Sequence, residues 1–353
     1  MTISHLLPLA VAAFGLGFIG FVLVAFPISG TKTEGDSRGR LGHFLCGLGY
    51  LAAVIWLGER GGNGSGVVMV DPASALVTTG LMVWLFGLNL AGFPGNPVYE
   101  AGLTLGAVVM LGLAWIIGSE GIPVGLRLPD LWFAGFYVFS LLGLAALGMA
   151  AWPGYLFCAG RLTESHPEES PPDSVATGFH WDKAACLITV ILAPLLGSAL
   201  FLSVWWRLET TQVLSIRQRA LFLLLGALIA GASLLFVLGL GLFRGAAGAS
   251  GRRWLPSPDE LLTTNNRAIA LGFFLFSAGI LIFGMEWTEQ GWGACVPRWG
   301  VTGRPAVIFL FYAILAHLRW GEERNLSPGA ILSVFGGGMA LLLCASIGAE
   351  WLP

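Results

Sequence analysis

The chain has 353 residues, 56% hydrophobic and 11% charged, with a mean hydropathy of +0.80. Soluble domains carry about a quarter charged residues, so this composition excludes a water-soluble globule, a disordered chain, a coiled coil and a disulfide scaffold. A formal net charge of -2 without clustered cations excludes nucleic acid as a partner. The 51 glycines and 14 tryptophans suit a polytopic helical membrane protein, where glycine lets helices approach and tryptophan sits at headgroup level.

Apolar stretches able to cross about 30 Å of hydrocarbon recur along the chain, predicting an all-α transmembrane bundle of about ten spans. In order they fall near 5–28, 41–58, 75–93, 101–118, 131–153, 184–206, 219–243, 267–285, 304–318 and 330–348. The first lacks a basic leader region and a small-residue cleavage site, so it reads as a retained helix. With ten spans, eleven of the 18 lysines and arginines fall on one side, among them Lys32, Arg40, Arg161, Lys183 and Arg267. That side is expected to be the inner one, with both termini outside. The weakest span in this scheme is 101–118, because a re-entrant segment there would reverse every loop before it.

One polar segment, 161–183, contains the run SHPEESPPDS and cannot bury a core. It divides the chain into an N-terminal membrane half, 1–160, and a C-terminal membrane half, 184–353. Five cysteines show no metal-ligand or CxxC spacing. They are expected to be inert buried thiols, with Cys295 in the outer loop the exception.

Ionisable groups inside spans are the usual pointers to function in a membrane protein, and few are present. His43 opens the second span, His317 closes the ninth and Glu286 ends the eighth. His317 reads either as an axial haem ligand near the inner face or as an interfacial histidine beside Arg319; position alone favours the second. His43 has the same two readings, with Arg40 beside it suggesting an interfacial cluster. Trp287, Trp292 and Trp299 form an aromatic outer segment that on composition alone is an interfacial belt. No nucleophile with its base, carboxylate pair or phosphate-cradling loop is evident.

The segment Leu255–Trp320 carries a more specific pattern. Leu255, Pro256, Asp259 and Leu261 lead into Arg267, Ala268, Ile269, Ala270, Leu271, Gly272 and Phe273, then Gly279, Ile280 and Trp287. Trp292 and Gly293 open a Trp-rich stretch, and the next helix closes with Ala313, His317 and Arg319. This resembles the haem-handling membrane proteins of cytochrome c biogenesis, the CcsA, ResC and CcmC type with their YpjD-like relatives. In that family a helix of the form LPxxExLxxxxxRAIAxGF precedes WGxxWxWDPKE, and a later helix ends AxYLHxR. The opening Trp and the helix-end His correspond without a gap.

The resemblance implies haem as cofactor, His317 as an inner iron ligand, His43 as a weaker candidate, and Trp287, Trp292 and Trp299 around the outer approach. It also implies an apocytochrome c or haem-handling partner in an energy-transducing membrane such as a bacterial inner membrane, with the Trp-rich loop outside. The departures are specific: Val296, Arg298 and Trp299 replace the second Trp, the third Trp and the Asp, while Gly300 and Val301 replace Pro and Lys. The family's outer histidines are expected near Arg219, where none occurs, and beyond the last helix, past Pro353. Independent catalysis is therefore not expected. The alternative is an accessory subunit of a larger respiratory or photosynthetic complex, with Gly336, Gly337 and Gly338 packing against neighbouring subunits.

Overall fold

Three helices begin at a polar residue followed by proline, which lacks the N–H that a first turn leaves unpaired anyway. Asp71 accepts from Ser74 N at 2.9 Å before Pro72. Asn96 accepts from Val98 N and Tyr99 N before Pro97. Ser257 and Glu260 form a reciprocal box around Pro258 and Asp259: the Glu260 carboxylate takes the Ser257 N–H at 2.9 Å, and Glu260 N donates to Ser257 Oγ.

The computed structural model describes residues 5–25, 32–63, 68–91, 95–117, 122–124, 128–163, 176–210, 219–220, 223–236, 239, 255–290, 307–317 and 327–347. In chain order the elements are α1 (Leu6–Ala25), α2 (Lys32–Asn63), β1 (Val68–Val70), α3 (Pro72–Leu90), α4 (Pro97–Ile117), β2 (Ile122–Val124), α5 (Leu128–Thr163) and α6 (Ala176–Thr210). They continue with α7 (Leu223–Phe236), α8 (Pro258–Gln290), α9 (Val307–His317) and α10 (Ser327–Ile347). Among the described residues, six helices are long and apolar enough to cross a membrane: α1, α3, α4, and the stretches Gly39–Gly61 of α2, Ala134–Leu162 of α5 and Pro258–Ile282 of α8. The fold is thus a helical membrane bundle, and the six stand against the expected ten. Among the described residues, α7, α9 and the apolar part of α6, Lys183–Ala199, are shorter than a full crossing.

The strand pair β1 and β2 is antiparallel, with Val68 opposite Val124 and Val70 opposite Ile122. It places the α2–α3 and α4–α5 connections at one end of the bundle. As a continuous 21-residue helix, about 32 Å long at 1.5 Å per residue, α4 is long enough to cross a bilayer without re-entering. Helix α5 is the hub and packs against α3, α6, α8 and α10, so both sequence halves share one core. It approaches α8 closely at Gly143, where a Cβ would lie 2.7 Å from Phe276 Cβ; Tyr312 of α9 donates to the Gly143 carbonyl in the same layer. Gly336 and Gly337 are buried within the chain against Phe311 and against Leu147 and Ala151, so they bring α10 onto α9 and α5 rather than facing outward. Gly338 is open. Of the 161–183 segment, 161–163 ends α5 and 176–183 begins α6, while 164–175 lie outside the described residues.

Large apolar side chains on the outer faces of α1, α2 and α6, such as Leu16, Phe44 and Ile188, are exposed. In a bilayer that is the expected surface, because the solvent is itself hydrocarbon.

Candidate functional site

Two interior prolines shape the polar contacts of the bundle. A proline has no N–H to offer the carbonyl four residues back, and its ring also displaces the next carbonyl. Pro194 in α6 therefore leaves Val190 O without its helical donor, and Tyr155 OH of α5 donates to that oxygen at 3.3 Å. Pro153 in α5 disturbs the turn containing Ala150. There Asn265 Nδ2 of α8 donates to Ala150 O at 2.7 Å and to Ser333 Oγ of α10 at 2.7 Å. Ser333 Oγ donates in turn to Ala330 O, so three helices are joined one turn from Pro153. Gly154 fits this junction because a Cβ would stand 2.7 Å from both Ala330 O and Ser333 Oγ.

Ion pairs stand near both ends of the apolar stretch Gly39–Gly61 of α2. At one end His43 Nε2 lies 3.3 Å from Glu100 Oε1, the two side chains 40% and 8% exposed. His43 Nδ1 donates to Gly39 O at 2.9 Å, so the Nε2 to Oε1 contact must hold one further proton between imidazole and carboxyl. Glu100 sits in the first turn of α4, where the helix dipole favours a carboxylate. Phe21 presents its edge to the imidazole at 5.0 Å between ring centroids. At the other end Arg60 Nε lies 3.3 Å from Asp71 Oδ2, the Asp71 side chain 0% exposed. Asp71 also caps α3, and its backbone carbonyl accepts from Tyr137 OH.

A cavity of about 330 Å³ lies between α1, α4, α5, α6, α7 and α10. Its aromatic wall is Trp152, stacked on Tyr155 with 5.8 Å between centroids and 16° between planes, and Phe236 against both. Trp152 Nε1 donates to Tyr99 O at 3.0 Å.

Of the site residues singled out from sequence, the structure describes the side chains of His43 and His317. His317 is exposed at the C-terminal end of α9, and His43 is engaged by Glu100 and Gly39. Trp287 lies in α8 with its side chain outside the described residues, as are Trp292, Trp299 and Cys295. Both nitrogens of His43 are engaged, and the lining of this cavity contains no imidazole, thiolate or thioether that would ligate haem iron. Cys46, Cys158 and Cys186 are buried and not in disulfides. Among the described residues no group of three or more His, Cys, Asp or Glu could hold a metal ion. Sequence reading missed Glu100 and Asp71 because both sit at the outer ends of apolar runs. Their signal was available in Asn96-Pro97 and Asp71-Pro72, which start the helices earlier than hydropathy does.

No family model, curated protein or solved structure matches the chain.

Proposed function

We propose that the chain is an integral-membrane accessory subunit built on a haem-handling type of scaffold, which positions partner subunits of an energy-transducing membrane complex and performs no chemistry alone. The observation that carries this reading is the state of His43. The transmembrane histidine best placed inside the bundle is tied to Glu100 and Gly39, a structural role that leaves no nitrogen for iron. The Ser257–Glu260 box and the packing of α8 against α5 keep the scaffold part of the resembling segment, whereas the Trp-rich motif has lost the residues that would stack on a porphyrin. In this reading the shorter helices complete a ten-span bundle, with the Trp-rich loop on the outer side and lipid around the whole. Migration on a native gel tests it: stoichiometric co-migration with other membrane subunits is expected, and a stable monomer from gently solubilised membranes would overturn it.

A second reading keeps haem handling, favoured by the exposed position of His317 at a helix end, where a partner could complete a site. It expects a b-type band in a reduced-minus-oxidised spectrum of the co-purified assembly that disappears in His317→Ala. An intact assembly without that band would refute it.

A further inference from the structure

The cavity beside Trp152 is built for hydrocarbon. Its lining is aliphatic and aromatic apart from Trp152, Tyr155 and Ser233, and the first two commit their donors to Tyr99 O and Val190 O. A ligand polar inside this space would lose water without gaining partners. The volume of about 330 Å³ is more than twice the ~150 Å³ of an apolar cavity that stays dry and takes up benzene. Protein interiors are close-packed, and walls facing an unfilled space forfeit their dispersion contacts. The room comes from missing side chains: Gly106 lines the cavity, and a Cβ there would meet nothing within 4 Å. The cavity is partly open rather than enclosed, and three of the helices that line it, α1, α4 and α5, contain candidate spans.

We propose that this cavity holds one acyl chain of a membrane phospholipid, with the headgroup at the end of the bundle where α5 finishes and α6 starts. That end carries Arg161, exposed with its guanidinium 5.3 Å from the Phe157 ring centroid, and Lys183. Arg161 lies six residues past Tyr155, roughly 9 Å along the helix, so a phosphate there is within reach of a chain seated against Tyr155 and suits the cations. An isoprenoid quinone fits less well, since its carbonyl oxygens need donors that Trp152 and Tyr155 have already committed.

The test is native mass spectrometry of the full-length protein released from mild detergent, with lipid extraction to identify what is retained. The wild type is expected to keep one phospholipid. Gly106→Leu fills the cavity from a position with open space around it and is expected to lower lipid-bound occupancy roughly tenfold, equivalent to about 1.4 kcal/mol, with an unchanged circular dichroism spectrum. Gly58→Leu, also at a glycine with nothing within 4 Å but absent from the cavity lining, is expected to keep the lipid. Should Gly106→Leu fail to fold, Ser233→Leu carries the same expectation. Equal lipid retention by wild type and a folded cavity-filling variant would overturn the proposal, as would a retained quinone or detergent in place of phospholipid.

Discussion

Tyr155→Phe removes one oxygen and keeps the ring that stacks on Trp152, so its cost isolates the hydrogen bond to Val190 O, 3.3 Å long. Pro194 supplies no N–H to that carbonyl, so the variant leaves a buried acceptor unpaired. Intramembrane side-chain hydrogen bonds average about 0.6 kcal/mol with a maximum near 1.7, while stranding a buried acceptor costs about 1–3 kcal/mol. The partly buried position and long distance point to about 1 kcal/mol. The informative measurement is a double-mutant cycle. Pro194→Ala restores an N–H four residues after Val190, so the carbonyl regains a helical donor and Tyr155→Phe should then cost little. Unfolding of wild type, both single variants and the double variant in mixed micelles, titrated with sodium dodecyl sulfate, reads all four corners. A coupling of about 1 kcal/mol is expected. If Tyr155→Phe costs the same in both backgrounds, the hydroxyl is not compensating for the proline.

The other expectations follow from the same contacts. Gly154→Ala places a methyl against Ala330 O and Ser333 Oγ and should destabilise by about 1–3 kcal/mol; a variant as stable as wild type in thermal unfolding would show that α10 yields there. His43→Ala strands Glu100, 8% exposed, beside a vacated position and should cost about 1–3 kcal/mol. Glu100→Gln, which can still hydrogen-bond to Nε2, should cost less, and the reverse order would contradict the shared-proton arrangement. Asp71→Ala loses both the α3 cap and the Arg60 partner and should lower stability more than Asp71→Asn, which keeps the cap. Equal melting temperatures for those two variants would refute a contribution from the cap beyond that of the charge.

The helices were legible in the sequence because a run long enough to cross a bilayer leaves the backbone no choice but to pair with itself. Their ends were less so. Hydropathy starts the fourth span at 101, but the helix starts at Pro97 because Asn96 caps it, and those four residues bring Glu100 inside. With Glu100 left outside the span, His43 reads as an interfacial residue grouped with Arg40. Its partner lies 57 positions away and is brought to it by the docking of α1 against both α2 and α4. The same limit applies to the prolines: Pro153 and Pro194 announce interrupted helices, but only tertiary structure assigns Asn265 to one and Tyr155 to the other. Gly336 and Gly337, expected to face neighbouring subunits, instead pack on α9 and α5 of the same chain, a pairing the sequence does not specify.

The ion pairs near the two ends of the apolar stretch of α2 also act as a gauge of depth. His43 and Arg60 are 17 residues apart in one helix, roughly 26 Å at 1.5 Å per residue, slightly less than the ~30 Å of a typical hydrocarbon core. Tilting shortens the vertical reach of a helix still further, so α2 stands nearly upright or the surrounding bilayer thins to meet it. Two charged pairs tie α2 to α4 and to the cap of α3, which makes the first response the less strained.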